Sequence, residues 1–154
     1  MNLFKLIVTF FFIGNVRIAP GTIASFATVV IFYAFAKYFN VFSFMLTISA
    51  ITLLSFVAVG AYTTGFLEKD KSEIVIDEVI GQSIALLPLL IFVKNTSPEF
   101  FMCIISLLFF RFFDIVKPFP INKLDKMNNT FGVIFDDILA GIFAALLLTF
   151  VLRF

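Results

Sequence analysis

The chain has 154 residues, is 62% hydrophobic, carries a net charge of +1 and has a mean hydropathy of +1.13. One domain, 1–154, fits this length, but a soluble fold could not hide so much apolar surface, so the composition points to membrane spans. The near-neutral charge, with no basic patch among aromatics, argues against a nucleic-acid partner, and the lack of any His removes imidazole bases and His-based metal sites.

A leading apolar run at 6–13 is too short to cross a bilayer, which takes about 20 residues. It reads as a re-entrant or interfacial segment; a cleaved signal peptide is the alternative, but Gly14-Asn15-Val16-Arg17 does not look like a cleavage site. Pro20-Gly21-Thr22 then opens a first apolar run at 22–39. Thr22 is the expected N-cap, with Ser25 at N3 and Arg17 nearby, so this helix start is a candidate anion site. A second run covers 41–67, and the charged stretch 68–73 separates it from a third at 74–93. Lys94 to Glu99, with Pro98, leads into a fourth run at 100–116, which Pro118 and Pro120 stop. Cys103 lies in this run without a thiol partner and reads as a core or lipid-facing residue. A fifth run covers 133–152. The expected architecture is an all-α integral membrane bundle of about five transmembrane helices, preceded by the short N-terminal segment.

Five spans put Lys5, Arg17, Lys69, Lys71, Arg111, Lys117, Lys123 and Lys126 on the N-terminal side and Lys37, Lys94 and Arg153 on the other. The bias places the N-terminal side in the cytoplasm by the positive-inside rule.

Acidic residues are placed unevenly. None precedes Glu68, and Asp77, Glu78, Asp114, Asp136 and Asp137 lie inside apolar runs. A carboxylate at the bilayer centre costs at least about 2.5–3.5 kcal/mol. These five avoid it: Asp77 and Glu78 lie about 5–6 Å into the third run at the helical rise, Asp136 and Asp137 are similarly placed in the fifth, and Asp114 is near the end of the fourth. In the five-span topology they form one shallow cytoplasmic layer drawn from three helices. Asp137, Gly141 and Ala145 follow one another at i, i+4, i+8, and Asp77 and Gly81 repeat the pattern. Small residues let a neighbouring helix approach, so the acids are expected to face helices rather than lipid.

Gathered carboxylates repel and take up protons unless something neutralises them. Acid–base pairing with Arg111 and Lys117 is one answer, but two cations do not neutralise five acids. A hard divalent cation does, and oxygen ligands without His or thiol favour Mg2+, or else Mn2+ or Ca2+. A proton relay is the other functional reading. Arg111 and Asp114, at i, i+3, share a helix face; Arg111 either holds a phosphate bidentately or pairs with Asp114.

Four segments, in order, resemble the phosphatidylglycerophosphatase A family. They are Ala19-Pro20-Gly21-Thr22 with Ser25; Asp70 through Ile74-Val75-Ile76-Asp77-Glu78-Val79-Ile80-Gly81; Phe110-Arg111-Phe112-Phe113-Asp114-Ile115-Val116-Lys117-Pro118-Phe119-Pro120-Ile121; and Gly132 to Asp136-Asp137 with Ala140-Gly141. Ala24 stands where the family often has Gly, and Asn129-Thr130 where a glycine pair is usual. The resemblance implies Mg2+-dependent hydrolysis of the phosphomonoester of phosphatidylglycerol phosphate, a phospholipid partner in the membrane, and a site at the cytoplasmic face of the bacterial inner membrane. On this reading Asp77, Glu78, Asp136 and Asp137 are the metal-ligand candidates, and Asp114 is a ligand or orients Arg111. Arg111 and Lys117 hold the phosphate, helped by Thr22, Ser25 and Arg17. Water is the expected nucleophile, because the Asp-x-Asp pattern of soluble aspartyl phosphatases is absent; a phospho-aspartate intermediate is the alternative. The rival from another class is a proton- or cation-coupled transporter. Such sites usually lie near the midplane and in repeated halves, whereas these acids are shallow and no repeat is evident.

Overall fold

The computed structural model describes residues 3–38, 40–64, 72–93 and 98–154. Lys69, Lys71 and Lys94 of the charge count, and Asp70 of the second family segment, lie outside the described residues. Among the described residues the regular elements are all helical: α1 (Leu3–Val8), α2 (Pro20–Phe35), α3 (Val41–Tyr62), α4 (Ile76–Phe92), α5 (Phe100–Val116), α6 (Ile121–Asp125) and α7 (Thr130–Arg153), with 3-10 turns at Ile13–Asn15 and Ala36–Tyr38.

Three helices are long and apolar enough to cross a membrane: α2 with its 3-10 extension (Pro20–Tyr38), α3 and α7. The chain is a membrane protein. α4 and α5 have 17 residues each, about 25 Å at the helical rise, against a hydrocarbon core of about 30 Å. The third apolar run loses its first two residues from the helix, where Val75 N–H donates to Val8 O at 2.9 Å and ties the approach to α4 to the end of α1. Beyond α1, Phe10, Phe11 and Phe12 all have left-handed backbone, with φ of 42°, 55° and 70°. The Thr9 hydroxyl donates to Lys5 O (2.7 Å) and accepts from Phe12 N–H (3.1 Å), which brackets that turn.

Two helix starts differ from expectation. α2 begins at Pro20, whose missing N–H is no loss in a first turn, and its N-cap is Ala19 in a left-handed conformation with φ 46°. Thr22 is therefore inside the first turn and is not the cap, and Ser25 lies deeper, its hydroxyl donating to Gly21 O at 2.9 Å. α7 begins at Thr130, a turn's length before 133, because the Asn129 side chain caps it by accepting from Gly132 N–H at 2.7 Å. Asn129 is extended, with φ −148°, so the Asn-Thr pair in place of two glycines needs no left-handed residue.

The centre of the bundle is the α4–α7 seam. A Cβ on Gly141 would stand 2.3 Å from Gly81 O, and one on Gly81 would stand 2.5 Å from both Asp137 O and Phe110 Cε2. The buried stripe of α7 runs Asp137, Gly141, Ala144, Leu148, whereas Ala145 is only half-buried. At 3.6 residues per turn a seventh residue falls back on the stripe and an eighth rotates off it. Gly141→Ala should force the seam apart and destabilise the protein by about 1–3 kcal/mol. The midpoint of thermal unfolding in detergent should fall; an unchanged midpoint would show slack in the seam.

Around this seam, α5 packs through Phe110 against Ala85, Ala140 and Ala144. α2 packs through Val29 and Phe32 into a cluster with Leu86, Leu89, Leu107 and the buried Cys103. The result gathers the starts of α2, α4 and α7 and the end of α5 at one end of the bundle, around a common cavity.

Candidate active site

That cavity, of about 260 Å3, brings together all five carboxylates expected from the sequence (Asp77, Glu78, Asp114, Asp136, Asp137) and both expected cations, Arg111 and Lys117. It adds Asp125, which sequence reasoning passed over because it lies outside the apolar runs. Thr22, Ser25 and Arg17 do not line it; Arg17 is exposed and Ser25 is fully buried against its own helix. What the start of α2 and its cap contribute is Ala19, Pro20 and Gly21.

Asp77, Glu78 and Asp137 each place one carboxylate oxygen within 4.8 Å of the others. Asp77 and Asp137 are buried, 6% and 4% exposed. The two adjacent acid pairs use the same local device: Asp77 Oδ1 accepts from Glu78 N–H (3.1 Å) and Asp136 Oδ1 accepts from Asp137 N–H (3.0 Å). Each first acid is thereby anchored to the backbone of its own helix. Glu78 is pressed from the other side by α2, since a Cβ on Gly21 would stand 1.9 Å from Glu78 Oε1. Its second oxygen, Oε2, is buried and has no hydrogen-bond partner.

Asp136 is engaged elsewhere. It accepts from Lys117 Nζ at 2.7 Å, and Lys117 also pairs with Asp125 on α6. Lys117 reaches both because α5 ends on it in a left-handed conformation, φ 45°, which turns the chain into the Pro118–Pro120 corner. Burial works against the Lys117 ammonium, but the hydrogen bonds to Asp125 and Asp136 outweigh it and hold its pKa above the ordinary lysine value.

Arg111 Nη1 lies 2.6 Å from Asp114 Oδ2. Nη1 faces that carboxylate, and the buried Nε has no hydrogen-bond acceptor. A buried donor left unpaired is costly, and an anion in the cavity would give Nε an acceptor. The ion pairs of the cavity thus engage Asp114, Asp125 and Asp136 and leave Asp77, Glu78 and Asp137 without one among the described residues. Three close carboxylates, one with a free oxygen, in a chain with no His and its one Cys buried in another cluster, are a donor set that fits a hard divalent cation.

Fold and site together define an all-helical membrane protein with an acid-rich cavity, edged by arginine and lysine, at one end of its bundle. The family model for phosphatidylglycerophosphatase A matches residues 6–152. A putative phosphatidylinositol-3-phosphatase of Bacteroides thetaiotaomicron is 32% identical over 148 residues, covering 93% of this chain and 89% of the relative. The phosphatidylglycerophosphatase A of Haemophilus influenzae is 32% identical over 147 residues, covering 95% and 86%. No solved structure matches the chain. The chain belongs to the phosphatidylglycerophosphatase A family and is a lipid phosphatase.

Proposed function

We propose that the protein hydrolyses the phosphomonoester of phosphatidylglycerol phosphate, with Mg2+ as cofactor, at the cytoplasmic face of the bacterial inner membrane. The observation that carries this reading is the convergence of Asp77, Glu78 and Asp137 in the same cavity as Arg111, whose buried Nε has no acceptor. Asp77, Glu78 and Asp137 would hold the ion, which when bound supplies charge stabilisation for a phosphoryl group and acidifies water. Arg111 Nε donates to a phosphate oxygen, and Asp114, against Nη1, fixes the guanidinium that does so. Lys117, held by two carboxylates, keeps a third N–H for the same anion. Asp136 sets Lys117 in place instead of joining the triad. Water attacks phosphorus, the bond to the glycerol oxygen breaks, and that oxygen leaves with a proton.

In this reading α4 and α5 complete a five-span bundle, and the N-terminal segment re-enters on the cavity side. The cavity end is cytoplasmic because the basic residues cluster there. Labelling of single cysteines in a Cys103→Ala background tests it. Asn122→Cys should react only from the cytoplasmic side and Phe154→Cys only from the outer side; outer-face labelling of Asn122→Cys overturns the topology.

The headgroup rests on the family and on the Haemophilus relative; the name of the Bacteroides relative favours a phosphoinositide as the second reading. A lipid is favoured over a soluble ester because the site sits at the helix ends, where acyl chains left in the bilayer hold the reacting phosphate in place. Purified protein should release phosphate fastest from phosphatidylglycerol phosphate, more slowly from phosphatidylinositol phosphate and phosphatidic acid, and slowest from glycerol phosphate. Chelation should abolish release and Mg2+ restore it. Faster turnover of the inositol lipid moves the assignment to the second reading. Full activity in chelator refutes the metal.

A further inference from the structure

One helical turn below Glu78, on the same face of α4, lies Gln82, a primary amide that is 0% exposed in the middle of the bundle. Its Nε2 donates to Ser106 Oγ on α5 at 3.3 Å, and Ser106 is likewise 0% exposed. Gln82 Oε1 has no hydrogen-bond partner, and neither has Glu78 Oε2. A buried amide oxygen left unpaired costs roughly 1–3 kcal/mol, and buried polar groups are otherwise almost always satisfied. Two orphaned acceptors, four residues apart on one helix, call for a common donor. Long helical side chains lean toward the preceding turn, so the Gln82 side chain leans toward Glu78.

Half a turn about the last torsion of Gln82 exchanges Oε1 and Nε2 without moving another atom. Ser106 O–H then donates to Gln82 Oε1, and Gln82 Nε2–H is released to donate to Glu78 Oε2. A hydrogen bond from Nε2 to Glu78 Oε2 would satisfy both orphaned oxygens and would be of the stronger, charge-assisted kind. We propose that Gln82 is a positioning residue for Glu78: its amide, anchored across the bundle by Ser106, holds the free oxygen of Glu78 from below while Gly21 presses the other from the side. The carboxylate is then fixed in the rotamer that faces Asp77 and Asp137. Residues behind metal-ligating carboxylates act in this way, and their loss typically weakens the ion about 10–100-fold.

This inference rests on the metal reading of the triad, and the experiment separates the two. Binding of Mn2+ to the purified full chain is followed by electron paramagnetic resonance, and thermal unfolding is followed with no metal present. Gln82→Met keeps the length and removes the amide; Ser106→Ala removes only the anchor. Gln82→Met should raise the Mn2+ Kd about tenfold and Ser106→Ala about threefold. The double variant should bind no worse than Gln82→Met alone, because the anchor acts only through the amide. The metal-free unfolding temperature of Gln82→Met should fall modestly, since Ser106 and Glu78 Oε2 each lose a partner, so affinity and not stability decides. Wild-type protein that binds no Mn2+ sinks the metal reading itself. Wild-type binding with a Kd unchanged within twofold in Ser106→Ala and in Gln82→Met overturns the positioning role. So does a lower metal-free unfolding temperature with unaltered affinity, which is the signature of packing alone. If Gln82→Met does not insert, Ser106→Ala decides by the same twofold criterion.

Discussion

Asp137→Asn should lower phosphate release by about 10³-fold, an effect of the size seen when a preorganised charge is removed from a reacting phosphoryl or acyl group. The amide keeps the shape of the carboxylate, so a packing role would survive. What is lost is one of three mutually close charges that none of the cavity's ion pairs engages. The protein should still insert, and without metal it should unfold no earlier than the parent, because removing one of three like charges relieves repulsion. Asp77→Asn and Glu78→Gln should behave alike. Asp125→Asn is the control within the same cavity: this acid is more open to solvent, and Lys117 retains Asp136 as a partner, so a loss of about tenfold or less is expected. Asp136→Asn should fall between, since it takes from Lys117 its more buried partner. Rates are compared at saturating Mg2+ in one detergent. Equal losses for Asp125→Asn and Asp137→Asn would mean that the cavity responds to total charge and that the triad has no special part.

The membrane class was legible in composition, and the site in one anomaly: carboxylates inside apolar runs, each near an end. Burial of charge is so costly that such residues can only converge on each other or on a partner, and all five line one cavity. The α5 bounds, 100–116, were legible too, because Pro98 and Pro118 bracket the run. Less legible were features set by tertiary hydrogen bonds. The start of α4 moves to Ile76 because Val75 pairs with Val8, a residue far away in sequence. Periodicity at i, i+4, i+8 named Ala145 where the helix buries Ala144, a drift that becomes visible only over two turns. Thr22 fits the cap preference, but Pro20 overrides it by occupying the first helical position. Nothing local marked Asp125 as Lys117's partner; that pairing needs the left-handed exit from α5. Nor did the sequence separate Asp136 from the other candidate ligands, since adjacent acids on one helix look equivalent until one of them meets Lys117. A hint of Gln82 was present, four residues after Glu78 in an otherwise apolar stretch.

Gly21→Ala should lower phosphate release by about 10²-fold while leaving the fold intact. The added methyl would stand 1.9 Å from Glu78 Oε1 and 2.8 Å from Glu78 Cδ, so one of the two must move. α2 is the stiffer partner. Ala24, Ser25 and Val29 are fully buried along it, and Val29 and Phe32 are locked into the cluster with Leu86 and Leu107. The contacting atoms of Glu78 belong to the end of a flexible side chain, so the carboxylate yields and swings away from Asp77 and Asp137. A displacement of about 1 Å at a reacting constellation typically costs about 10²-fold in rate, whereas rotating one side chain within a cavity of about 260 Å3 costs little stability. Alanine also suits a helix better than glycine, by about 1 kcal/mol, so the unfolding midpoint should hold or rise. Gly141→Ala offers the contrast, because there the obstruction is Gly81 backbone, 2.3 Å away, which has no flexible end to give. Gly21→Ala should therefore lose rate and keep stability, while Gly141→Ala loses stability first. Weaker Mn2+ binding by Gly21→Ala would tie the lost rate to Glu78. Normal activity in Gly21→Ala would show that Glu78 reaches the triad equally well from a second rotamer, and that the press of α2 on its carboxylate has no part in the chemistry.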